Sequence, residues 1–117
     1  TVKWSLKQMG TKTRIAFLIG NLNKEHGGAQ QLLYDICSNL PQDEFDLTVY
    51  HMFGEGTFTP HFESRGVQVV NLRARGNYDT RTFGEFLMKL RQTEPDILHT
   101  NSPISGIFFS INLKYIL

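Results

Sequence analysis

Large apolar residues first gather at Ile15 to Ile19, a continuous run without alternation that Gly20 closes. A strand covered on both faces reads this way, and such strands belong to parallel sheets. The residues before it, 1–13, are polar apart from Trp4, Leu6 and Met9, and read as a leading tail. A polar loop, Asn21 to Gly28, follows the strand and ends in two glycines. Ala29, Leu32, Leu33, Ile36, Cys37 and Leu40 then recur at helical spacing, one apolar stripe that Pro41 ends. Asp46 to Phe53, rich in β-branched and aromatic residues, predicts a second strand. Thr59 to Arg65 predicts a short helix with Pro60 in its first turn and Gly66 behind it. Val67 to Leu72 predicts a third strand. Thr82 and Glu85 have capping-box spacing, with Asp79 as the alternative cap, ahead of a helix whose apolar face is Phe83, Phe86, Leu87 and Leu90. Pro95 ends that helix. Asp96 to Thr100 predicts a fourth strand, and Ile104 to Leu117 has helical period with apolar residues on two faces.

Strands alternating with helices imply an α/β fold: a Rossmann-like parallel sheet with right-handed crossovers and helices on both faces, spanning residues 14–117. A final helix that is apolar on two faces wants cover on two sides, so the sequence reads as the front of a longer domain. In such sheets ligands bind beyond the carboxyl ends of the strands, where strand order reverses. A 3-2-1-4 order puts that reversal between the first and fourth strands. The loops Asn21 to Gly28 and Thr100 to Ser105 then converge and become the candidate site.

Composition narrows the function classes. Twelve Lys and Arg stand against 11 Asp and Glu, a net charge of +1, which argues against a nucleic-acid module. No run approaches the ~18 apolar residues of a membrane span. The single cysteine, Cys37, excludes an internal disulfide and a cysteine zinc site, and its place on the helical stripe makes it a core thiol. A reducing, cytoplasmic setting fits that usage. No histidine pair has metal-ligand spacing, so no metal is expected. The glycine loop is neither G-x-G-x-x-G nor a P-loop, and no serine sits in a G-x-S-x-G elbow.

Gly27 and Gly28 stand between a buried strand and a helix start. There they would let an anion approach free backbone N–H groups, or simply supply a tight turn. His99, Asn101 and Ser102 close the fourth strand; a histidine there can reach the cleft and exchange a proton, or be held as a structural residue. His51 lies inside a strand and is expected to pack, His61 sits on the short helix, and His26 lies in the glycine loop. The polar loop from Arg73 to Tyr78 could contact a sugar or phosphate, or be a solvated basic loop.

Taken together, RIAFLIG, HGGAQQLLYDI and PDILHTNSP resemble the N-terminal domain of GT-B glycosyltransferases, most closely the retaining, family-four branch. The resemblance covers about residues 14–117. It implies transfer of a sugar from a nucleotide-sugar donor to an acceptor with retention, between two Rossmann-like domains. It makes this chain the acceptor-side half, with the nucleotide-sugar as co-substrate and no separate cofactor. By the resemblance Gly27, Gly28 and Ala29 approach the donor diphosphate, while His99, Asn101 and Ser102 line the reaction centre. Two departures stand out: Gln30 and Gln31 occupy places where many members have Glu-Arg, and Asn101 replaces a second histidine that many members use at the sugar. The family's donor-binding domain would lie beyond this chain. The implied partner is therefore a C-terminal donor domain or a second chain, and the 117 residues alone are expected to be inactive. Relatives that use lipid-linked acceptors leave peripheral membrane contact open. The alternative is a non-catalytic module of the same fold, or a split-transferase subunit that works only with a partner chain.

Overall fold

A computed structural model describes residues 12–24, 27–76 and 79–100. Residues 1–11 of the expected leading tail, His26, Asn77, Tyr78, Asn101, Ser102 and the apolar segment from Ile104 onward lie outside the described residues, while Thr13, the last of the expected tail, already belongs to the first strand. Within them the chain runs β1 (Thr13–Asn21), α1 (Gly28–Asn39), β2 (Phe45–Phe53), α2 (Thr59–Glu63), β3 (Gln68–Asn71), α3 (Thr80–Thr93) and β4 (Ile97–Thr100). The four strands form one parallel sheet in the order β3-β2-β1-β4. This is the expected Rossmann-like arrangement, with the reversal between β1 and β4.

The unbroken apolar run of β1 follows from two-sided cover. Ile15, Phe17 and Ile19 pack with Leu33 and Cys37 of α1 and with Phe58 and Phe62 at α2. Ala16 and Leu18 point the other way, into a cluster with Tyr50, Met52, Leu72 and Phe86 of α3. Side chains alternate along a strand, so a central strand between helical layers needs apolar residues at every position. Tyr50 and Phe86 meet edge to face at 4.9 Å between ring centroids. Burial pushes the Cys37 thiol up to about 12, so it stays protonated as a core group.

The start of α3 decides between the two caps that the sequence offered. Asp79, not Thr82, is the cap: its carboxylate accepts from the Thr82 backbone N–H at 3.2 Å and from the Thr82 hydroxyl at 2.9 Å. Glu85, the other half of the expected capping box, lies 3.6 Å from exposed Arg81 instead. The far end of α3 closes on Glu94 in the left-handed region (φ 47°), whose N–H bonds the Leu90 carbonyl. Arg14 then ties this end to β1. Its guanidinium donates to the Thr93 carbonyl at 2.8 Å, and its backbone N–H donates to the Asp96 carboxylate at 2.9 Å. These contacts set where β4 begins.

Two groups give the fold an acid signature. His51 is buried (1% exposed), and burial lowers its pKa, partly offset by a bond from Nδ1 to the Phe53 carbonyl at 3.1 Å. Its folded pKa lies below the unfolded value, so its stabilising contribution is complete above about 6.5 and is lost as pH falls toward the folded value. The Asp79 carboxyl is held down at about 2, first by the Arg75 N–H and then by Thr82. Its contribution is lost only as pH falls from about 3.9 through that value. Urea midpoints measured from pH 7.5 downward should therefore drop in two separate windows. His51→Gln should remove the upper drop and leave the lower one. A wild-type midpoint that stays flat between pH 7 and 5 would contradict the His51 assignment.

Candidate functional site

The loop after β1 is built by side-chain amides. Asn21, the last residue of β1, accepts from the Asn23 N–H at 3.1 Å through Oδ1. Asn23 Oδ1 in turn accepts from the Gly56 N–H at 3.0 Å, reaching the turn after β2. The Lys24 N–H donates to the Thr57 hydroxyl at 2.9 Å, and the Phe58 N–H donates to the Leu22 carbonyl at 3.0 Å. Residues 22–24 are thus fastened along the 54–58 turn, at the carboxyl end of the sheet.

The chain then reaches Gly27, which caps α1 with φ 91° and ψ −119°. Only glycine enters that region freely. Gly27 has no side chain with which to cap the helix, and the first turn carries no acidic residue. The Gln31 N–H already bonds the Gly27 carbonyl at 3.0 Å. The N–H groups of Gly28, Ala29 and Gln30, which open the helix, therefore have no intrahelical acceptor. A Cβ at Gly27 or Gly28 would meet nothing within 4 Å, and both residues are exposed. The result is an open helix start aimed along the carboxyl edge of the sheet, a geometry suited to an anion.

Across the reversal, His99 pairs with Phe17 in the β1–β4 register, and its ring lies 5.7 Å from the Phe17 ring. It stands on the α1 side of the sheet, the same side as the glycine turn. It is exposed there, because α1 covers β1 and β2 but leaves Ile97 and His99 of β4 uncovered. Of the expected site residues, Gly27, Gly28, Ala29 and His99 are therefore placed on one side at the reversal, while Asn101 and Ser102 fall outside the described residues. His51 is packed as expected, and His61 lies on exposed α2 with its ring edge against Tyr34 and Phe58. Among the described residues no three His, Cys, Asp or Glu side chains gather closely enough to hold a metal.

Sequence reasoning missed Gln30. The apolar stripe predicted for α1 is broader than its buried face: Leu32 is 57% exposed and Ala29 is exposed, whereas Gln30 is 5% exposed. The buried line is Gln30, Leu33 and Cys37. That is also helical spacing, and a polar residue continuing an apolar line was the available signal. Gln30 Nε2 donates to both the backbone carbonyl and the Oδ1 of Asn21, each at 3.1 Å.

A second concavity, an open cleft of about 280 Å³, lies at the opposite end of the sheet. Arg14, Asp46 and Gln68, near the amino ends of three strands, help to line it. It is remote from the glycine turn and from the strand-order reversal at the carboxyl edge. No helix among the described residues is long and apolar enough to cross a membrane.

Comparison with known proteins agrees with this fold. Searches of curated proteins and of solved structures give no significant match. A family model described as Glycosyltransferase Family 4 matches residues 26–115, a stretch that opens at the glycine turn and runs through all of α1, β2, β3, α3 and β4. With that match over most of its length, the chain belongs to glycosyltransferase family 4.

Proposed function

We propose that this chain is the acceptor-side half of a retaining glycosyltransferase that takes its sugar from a nucleotide-sugar donor. The observation that carries the reading is the Gly27–Gly28 turn: a helix start with glycine at the cap position and no acidic residue in its first turn, beside the strand-order reversal. In this reading the donor diphosphate rests against the N–H groups of Gly28, Ala29 and Gln30. The bond between the anomeric carbon and the diphosphate oxygen breaks, and the nucleoside diphosphate leaves with the electron pair. The acceptor hydroxyl oxygen bonds the same carbon on the same face, and its proton passes to the departing diphosphate. His99, Asn101 and Ser102 line the acceptor side of that centre. A second domain or chain supplies the cationic contacts that the leaving diphosphate requires, so the 117 residues bind nucleotide weakly and transfer no sugar by themselves.

The test separates binding from folding at one atom. UDP, ADP and GDP are titrated into the 117-residue chain while amide signals are followed by NMR. Saturable shifts at Gly28 and Ala29 are expected for at least one nucleotide. Gly28→Ala adds a methyl group into open space in a helical residue. Stability should be unchanged or rise by up to about 1 kcal/mol, because alanine restricts the unfolded chain more than glycine does. The same methyl stands where the phosphate would approach, so affinity should fall. Unchanged affinity in Gly28→Ala would remove the diphosphate from this turn, and sugar transfer by the wild-type chain alone would overturn the need for a second domain.

A further inference from the structure

Gln30 occupies an unusual position for an amide. It lies in the first turn of α1, on the buried line with Leu33 and Cys37. Both of its amide bonds go to one residue: Nε2 donates to the Asn21 carbonyl and to Asn21 Oδ1. The other end of the amide, Oε1, is buried and has no hydrogen-bond partner. An unmet buried acceptor costs free energy that an apolar side chain of the same size would not. Gln30 is therefore a poor choice for stability alone.

The two bonds it does make explain its value at this place. Asn21 ends β1, and the N–H groups of Gly28 to Gln30 open α1. Between them the chain passes through the Gly27 turn, whose backbone freedom alone would leave the helix start loosely aimed. The Gln30 amide spans the gap and fixes the first turn of α1 against the end of β1. Asn21 Oδ1 carries the tie onward to Asn23, and Asn23 carries it to Gly56. One line of amides thus runs from the helix start to the turn after β2.

We infer that Gln30 is a positioning residue for the anion-binding turn, aiming the Gly28 and Ala29 N–H groups through the two hydrogen bonds that its side chain donates to Asn21. Its side chain touches no ligand. This inference rests on the reading of the glycine turn as a diphosphate site. Preorganised donors bind an anion more tightly than donors that must be ordered on binding, so loosening the clamp weakens affinity while the core stays intact.

The decisive variant is Gln30→Met, close in volume and able to fill the same space without an orphaned acceptor. Its urea midpoint should equal or exceed that of the wild-type chain, because the unmet oxygen is gone. Its affinity for UDP, or whichever nucleoside diphosphate binds the wild type best, should fall by roughly fivefold or more. Its Gly28 and Ala29 amide signals should shift in the unliganded protein. Gln30→Glu, which sets a carboxylate against two acceptor oxygens, should lose both stability and affinity. A merely structural Gln30 predicts that the two properties fall together in Gln30→Met, and that result overturns the inference. So does unchanged affinity in Gln30→Met when the wild type binds. Absence of binding by the wild type overturns the diphosphate reading itself, and this inference with it.

Discussion

Phe62→Ala is expected to destabilise the chain by about 3–5 kcal/mol, the usual cost of emptying a buried aromatic site. Phe62 is fully buried and sits in a five-residue helix too short to hold itself together. Its ring meets Tyr34 of α1 at 5.4 Å and Phe58 at 5.3 Å, both edge to face. Its carbonyl accepts from the Val67 N–H, which leads into β3. One residue therefore joins α1, α2 and the approach to β3, and its ring makes the first of these ties. A domain of this size has roughly 5–15 kcal/mol in all, so the variant should be marginal or unfolded at 37 °C. Urea unfolding followed by circular dichroism at 15 °C measures the loss. A change below about 1 kcal/mol would mean that the pocket collapses on itself and that α2 contributes little. The effect should also travel to the site. Phe58, which leans on Phe62, donates its N–H to the Leu22 carbonyl, one of the bonds that fasten the post-β1 loop.

The fold was largely legible because its strongest signals are one-dimensional. Five consecutive apolar residues in β1 can be satisfied only between two layers, and that forces the parallel sheet and its helices. Pro41, Gly66 and Pro95 mark ends that the structure respects: Gly66 takes φ 78° after α2, and Pro95 follows the left-handed Glu94. Local signals left two residues open for one role, and tertiary structure chose between them. Thr82 had the spacing of a cap, yet Asp79 has the extended backbone and the two acceptor oxygens that a cap needs, and Thr82 donates to it. The width of the α1 stripe was misjudged for a different reason. Ala29 and Leu32 are exposed and Ile36 is half-buried at the margin of the core, so helical period alone could not tell the buried line from its apolar neighbour.

The candidate site was legible in part. Two glycines between a buried strand and a helix are visible in any reading of the sequence. The amides that hold them are not, because their pairings are tertiary: Gln30 to Asn21 across the turn, and Asn23 to Gly56 across 33 positions. Asparagine and glutamine in polar loops look alike whether they fasten the backbone or face solvent.

Gly27→Val gives the sharpest separation between these levels. A Cβ at Gly27 would touch nothing within 4 Å, so the first added carbon meets no clash. The opposition comes from the backbone: φ 91° with ψ −119° is closed to a β-branched residue and costs roughly 1–3 kcal/mol if enforced. The chain can lower that cost by moving Gly27 into an ordinary region, and the clamp from Gln30 to Asn21 then has to stretch or break. Either path spoils the aim of the Gly28 and Ala29 N–H groups. The expected result is a modest drop in the urea midpoint, smaller than that of Phe62→Ala, together with loss of detectable nucleoside diphosphate binding. Gly28→Ala, one residue away, keeps its stability and only weakens binding, so the pair distinguishes backbone conformation from access. If Gly27→Val loses stability but binds as the wild type does, the ligand does not rest on this helix start. If it loses neither, then the turn does not hold Gly27 in its left-handed conformation, and the tie between β1 and α1 has to be assigned to Gln30 and Asn21 alone.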